Sequence, residues 1–148
     1  MKKTLVSASL LILCSQTALA TEVDAEAYIK YRENLMTSAK IHSGGIGDIL
    51  KGKLPLQANL QAHARALHES ISLFASAFPE GSDFGETAAK ANVWSDAAGF
   101  AAAADKSTAA AAALVKASET GDLQAIGAAM ADVGKSCKGC HDEYRAKK

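Results

Sequence analysis

The chain has 148 residues and a mass of 15.3 kDa, which suits one domain and leaves no room for a second catalytic one. Its 16 Lys and Arg balance 16 Asp and Glu, so the strongly basic footprint of a nucleic-acid binder is missing and no nucleic-acid partner is expected. Thirty-two alanines against 2 prolines and 5% aromatic residues favour helices over the turn-rich, β-branched composition of an all-β domain.

Met1-Lys2-Lys3, an apolar stretch from Leu5 to Leu13 and the small-x-small run Ala18-Leu19-Ala20 read as a cleaved signal peptide over residues 1–20. The apolar stretch is too short to cross a bilayer, which takes about 20 residues, and no later segment is apolar enough, so no membrane span is expected. At Cys14 a lipoprotein signal would carry a small residue just upstream, and Leu13 stands there instead. A mature, exported domain over residues 21–148 is predicted. Loss of Lys2 and Lys3 takes the 16 basic residues to 14 against 16 acidic ones, a formal charge of −2.

Four helical stretches follow, separated by Pro and Gly. The first runs from Asp24 to Leu50, with Tyr28, Tyr31, Leu35 and Ile46 as core candidates, and stops at Gly52-Lys53-Leu54-Pro55. The second runs from Leu56 to Phe78, where Leu60, Leu67, Ile71, Phe74 and Phe78 recur at spacings of three, four and seven. Pro79-Glu80-Gly81 ends it. The third, Glu86 to Ser118, carries Val93, Trp94, Phe100, Leu114 and Val115 among alanine runs that let neighbouring helices approach closely. The fourth runs from Asp122 to Arg145. Four helices with short connections predict an all-α, antiparallel four-helix bundle, an architecture whose core commonly hosts cofactors.

The fourth helix carries Cys137-Lys138-Gly139-Cys140-His141, the C-x-x-C-H signature of covalent haem attachment. Two thiols add across the two haem vinyl groups and the adjacent imidazole reaches the iron. On a helix, Cys137, Cys140 and His141 share one face. A disulfide between cysteines so close within a helix would constrain little chain. A thioredoxin-like pair would follow a strand, and none is read here. Zinc would need more ligands than these. One motif implies one covalently attached haem c with its iron.

Beyond that motif, Tyr31-Arg32 followed by Met36, Lys51-Gly52-Lys53-Leu54-Pro55, Phe78-Pro79-Glu80-Gly81, Val93-Trp94, and Val133-Gly134 through to Tyr144-Arg145 occur in an order that resembles the class II c-type cytochromes. These are the cytochromes c′ and their low-spin relatives, and the resemblance covers essentially the whole mature chain. It implies a haem protein without a substrate of its own, not an enzyme in the ordinary sense, that works in the periplasm with redox partner proteins. Family members often pair through their first two helices, so a homodimer belongs to the same expectation.

His141 then takes one axial position, and the residue opposite decides the function. Met130 precedes His141 by eleven residues, about three turns, and a side chain on the proximal helix cannot cross the haem plane. Met36 remains, at the place where the resemblance puts the distal residue, four after Arg32. Methionine there is similar to the six-coordinate cytochromes c-556, whereas cytochromes c′ proper carry a non-ligating side chain and leave the iron five-coordinate. Plain core filler is the other use of a methionine. His/Met ligation raises the potential and fills the site, which makes a single-electron carrier the leading expectation. A cytochrome c′-like protein binding NO or CO is the alternative. For His42, His63 and His68 a surface or packing role is expected.

Ser43, Gly44 and Gly47 fall near the helical face of Met36, where glycine suits a close approach of haem or backbone; a helix fraying at Gly44-Gly45 is the alternative. Arg145, one turn beyond His141, is expected at the haem edge, and Asp142 beside His141 or a nearby backbone group. Arg32 is read as either a haem propionate partner or an exposed residue. Phe78 and Trp94 read as either haem contacts or core, with core favoured, and Lys135, Lys138, Lys147 and Lys148 as either a positive docking rim or plain solvated lysines. Intact-mass spectrometry of the exported protein is expected to give a chain that begins at Thr21 and carries the added mass of one haem; an uncleaved or haem-free chain refutes the reading.

Overall fold

The computed structural model describes residues 23–147, so the signal-peptide reading and Cys14 lie outside the described residues. Its helices are α1 (Ala25–Leu50), α2 (Leu60–Ser72), a single turn α3 (Asn92–Ser95), α4 (Ala97–Thr120) and α5 (Leu123–Tyr144). The four long helices form the expected bundle, with no strand among the described residues and one isolated antiparallel bridge between Ala89 and Arg145. None of these helices is long and apolar enough to cross a membrane.

Aspartates start three of the helices by accepting from their first free amides: Asp24 from Ala27, Asp96 from Gly99, and Asp122 from Gln124 and Ala125. Gly121, at φ +71°, ends α4 in the left-handed conformation that side chains resist, which turns the chain directly into α5. Gly99 has a different reason to be glycine. A Cβ there would collide with the Asp96 carboxylate and come within 2.6 Å of the Tyr144 hydroxyl.

Two helices are shorter than their periodicity predicts. α2 ends at Ser72, not Phe78, because Ser72 and Ser76 bond the carbonyls of Glu69 and Leu73, a short turn of tighter helix covers 75–77, and Arg32 takes the Ala77 carbonyl. The third helix begins at Ala97, not Glu86. Residues 88–90 pair instead with the end of α5 through Lys90 N–H to Tyr144 O and Ala146 N–H to Ala88 O.

Ile46, Leu67, Ile71, Leu114, Ile126 and Val133 fill the main core, fully buried between α1, α2, α4 and α5. A second, aromatic cluster of Phe78, Trp94, Phe100 and Tyr144 stacks edge-to-face, with centroids 4.9 to 6.2 Å apart. Tyr31 is the exception among the expected core residues and stands 41% exposed. The expected close approach around Met36 is corrected too. α1 runs unbroken through Gly44 and Gly45, and a Cβ at Gly44 or Gly47 would meet nothing, whereas one at Gly45 would press on the His63 ring at 2.9 Å.

Arg32 binds α1 to the loop after α2. It is 5% exposed, donating through Nη1 to Ala77 O (3.3 Å) and Ser82 Oγ (2.9 Å) and through Nη2 to Ser82 O (2.9 Å). Its guanidinium lies 4.6 Å from the Phe78 ring centroid and 5.8 Å from that of Trp94. The exposed reading of Arg32 is therefore wrong. Burial pulls its pKa down, with Glu33 opposing. Arg32→Met is expected to destabilise the holoprotein by about 2–4 kcal/mol, since it strands the Ala77 and Ser82 carbonyls and leaves the Ser82 hydroxyl only its bond to Pro79 O. Arg32→Lys recovers only part of this, because an ammonium cannot fork. Urea denaturation of both variants measures the difference, and equal stability of Met and Lys variants contradicts it.

Candidate haem site

α1 and α5 meet only sparsely, and the space between them is a cavity of about 650 Å³, within the range of cofactor pockets. From α5 it is lined by Cys137, Cys140 and His141, three side chains at i, i+3 and i+4 that the helix turns to one side. α1 contributes Arg32 and Met36, and Arg145 lines the edge. The aromatic cluster closes the end through Phe78, Phe100 and Tyr144. Six of the seven residues singled out from sequence thus line one cavity.

Asp142 is the seventh and lies elsewhere. It does not bond His141; its carboxylate pairs with Lys138 one turn back on the solvent side, and that bond is the main reason its pKa falls. The same pairing weakens the idea of a positive docking rim, since Lys138 is matched by Asp142 and Lys135 by Asp132 at 2.9 Å. Lys148 lies outside the described residues. Met130 packs against the main core, as expected of a residue on the proximal helix.

Burial shapes the chemistry of the attachment face. It pushes both thiols up, so Cys137 and Cys140 are held as neutral S–H groups. It pulls His141 down, and Arg145 adds to the fall while Asp142 opposes it, which favours the neutral imidazole that ligates a metal. Two neutral thiols and a neutral imidazole on one wall of an apolar cavity fit a covalently attached haem.

Sequence reasoning missed the clamp on the last turn of α5. Lys90 Nζ donates to the carbonyls of Asp142 (3.1 Å) and Glu143 (2.7 Å), and Asn92 Nδ2 adds a bond to Glu143 O (3.2 Å). These are carbonyls that a helix end leaves without partners. No spacing rule links residues about fifty positions apart, so no local signal announced the clamp.

A family model described as Cytochrome C' matches residues 27–145. The chain belongs to the cytochrome c′ family. Its relatives include the cytochrome c′ of Pararhodospirillum photometricum, 42% identical over 121 residues that cover 81% of this chain and 97% of the relative. A cytochrome c-556 of Agrobacterium tumefaciens strain II Chrys is 33% identical over 128 residues, covering 81% and 98%. Among solved structures, a mutant of cytochrome c prime from Alcaligenes xylosoxidans in its nitric oxide complex superposes with a TM-score of 0.78 at 36% identity, covering 84% of this chain and 97% of that one. This class II c-type cytochrome therefore carries a covalent haem c, in the four-helix bundle of its family.

Tyr144 offers a test of how the cavity end is held. Its hydroxyl donates to Asp96 Oδ2 at 2.9 Å, and burial together with Asp96 pushes its pKa up to about 12. A folded pKa above the unfolded value near 10 gives stability that is complete below pH 10 and lost as pH rises toward 12. Tyr144→Phe is expected to flatten that part of the alkaline stability curve in chemical denaturation at pH 9 to 12. A variant that loses stability over this window as steeply as the parent protein contradicts the assignment.

Proposed function

We propose that the protein is an exported, periplasmic monohaem cytochrome c′ whose iron keeps an exchangeable sixth position beneath Met36 and binds NO or CO there. The observation that carries this reading is its similarity to cytochromes c′, among them a relative 42% identical and a mutant solved with nitric oxide bound. Cys137 and Cys140 would attach the haem, and His141 would supply an imidazole nitrogen to its iron. When bound, the haem supplies a one-electron couple and an open coordination position to a diatomic ligand.

The chain's own residues do the rest. Lys90 and Asn92 fix the turn that bears His141, and the neutral imidazole leaves its nitrogen free to ligate. Met36 and Ile29 present apolar surface from α1 and keep water out. Arg32 has N–H donors beyond its three loop bonds, and these suit a haem carboxylate. Arg145 places a positive charge at the proximal edge, where it limits access to His141. The mature unit is the single domain of residues 21–148, not an enzyme in the ordinary sense, with redox proteins as partners; pairing of two copies, as the family resemblance implies, is compatible with this reading.

A second reading is supported by Met36 itself, a thioether on the cavity lining that also includes His141, and by the similarity to a cytochrome c-556. There Met36 ligates the iron and the protein is a single-electron carrier. Absorption spectra of the oxidised and reduced holoprotein, with CO added to the reduced form, separate the two. The open-site reading expects a high-spin reduced spectrum that CO converts, no spectral change in Met36→Leu, and a CO affinity raised more than tenfold in Met36→Ala as the distal wall recedes. A sharp low-spin spectrum that resists CO, and turns high-spin in Met36→Leu, establishes the carrier instead.

A further inference from the structure

The α1–α2 interface contains a polar seam that the haem site does not use. Ser38 and Ser70 bond across it through their hydroxyls at 2.9 Å, and about one turn further along α1, His42 and His63 meet with their Nδ1 atoms 3.1 Å apart. The rings are half-buried, tilted by 56°, with centroids 5.4 Å apart. Gly45 leaves the room for the His63 ring that any Cβ would take away.

We infer that His42 and His63 form a binding site for one divalent transition-metal ion, of the class best represented by Cu2+ and followed by Zn2+. Imidazole nitrogens are ligands for such ions, with metal–nitrogen bonds of about 2.0–2.1 Å. Bonds of that length place two neighbouring ligand nitrogens about 2.9 Å apart at a right angle and about 3.4 Å apart at the tetrahedral angle. The observed 3.1 Å lies between these values, so the ion enters with little movement of either helix. Without metal, one Nδ1 donates its hydrogen to the other. With metal, both rings carry their hydrogen on Nε2 and turn both Nδ1 lone pairs to the ion, so no proton leaves the pair.

Among the described residues no third His, Cys, Asp or Glu joins them, which assigns the remaining coordination positions to water. The bound ion ties α1 to α2. Its position is independent of how the haem iron is ligated, since His42 lies six residues beyond Met36 on α1 and His63 is on a helix that carries no attachment residue.

Copper titration of the oxidised holoprotein tests the site, with affinity read against a competing chelator and ligation read by electron paramagnetic resonance. One Cu2+ per chain is expected, with splitting from two nitrogens. His42→Gln and His63→Gln should each weaken binding more than tenfold, since even residues that only orient a ligand change metal affinity about ten- to a hundredfold. His68→Gln should leave it unchanged. Undiminished affinity in either the His42 or the His63 variant overturns the site, as does splitting from fewer than two nitrogens in the unaltered protein, a reading that depends on no variant folding. Zn2+ should raise the Tm of the holoprotein and leave that of the two variants unmoved; equal rises in all three count against it.

Discussion

The α1 wall of the cavity and the loop beside it depend on one buried guanidinium. Arg32 cannot be left unpaired at 5% exposure, and it satisfies itself by taking two carbonyls and a hydroxyl from the segment 77–82. That requirement stops α2 before Phe78, draws the loop over α1, and presents Phe78 and Trp94 to the cation. Trp94 then donates to Pro79 O at 3.0 Å, so the loop is tied at a second point. The same guanidinium lines the cavity that lies between α1 and the attachment face of α5.

The opposite wall is held by other means. α5 ends in the turn that bears His141, and the carbonyls of that turn are taken by Lys90 and Asn92 while Ala88 to Lys90 pair with Tyr144 to Ala146. Asp96 joins the same region, capping α4 with one oxygen and accepting from Tyr144 with the other. In the proposed role of His141 as an iron ligand such anchoring would count, because a loosely held ligand loses both affinity and orientation. The two walls therefore differ in kind. A buried charge fixes the distal helix, and a set of capping bonds fixes the proximal one.

This division bears on Met36. On the proposed reading Met36 closes the cavity from α1, and on the second it would ligate the iron; a thioether on the cavity lining serves either. Relatives named cytochrome c′ and cytochrome c-556 both match this chain along nearly their whole length.

The attachment motif and the existence of four long helices were legible in the sequence, because each is a local pattern: a fixed spacing of thiols and imidazole, and a 3.6-residue period. The cap at Asp96 was not, since the alanine-rich pattern carried the expected third helix straight through it. Met36 was legible only once a haem had been inferred, by elimination and by the family order of motifs. What remained hidden was non-local. The early end of α2, the extended segment before α3, the turn of Asp142 away from His141 toward Lys138, and the meeting of His42 with His63 across two helices all depend on partners twenty to fifty residues away or on which side of a helix faces solvent. Composition and periodicity determine which stretches become helices and which face of each is apolar. Only the tertiary structure decides which buried polar group finds which partner, since that choice is made by the desolvation cost of every alternative at once.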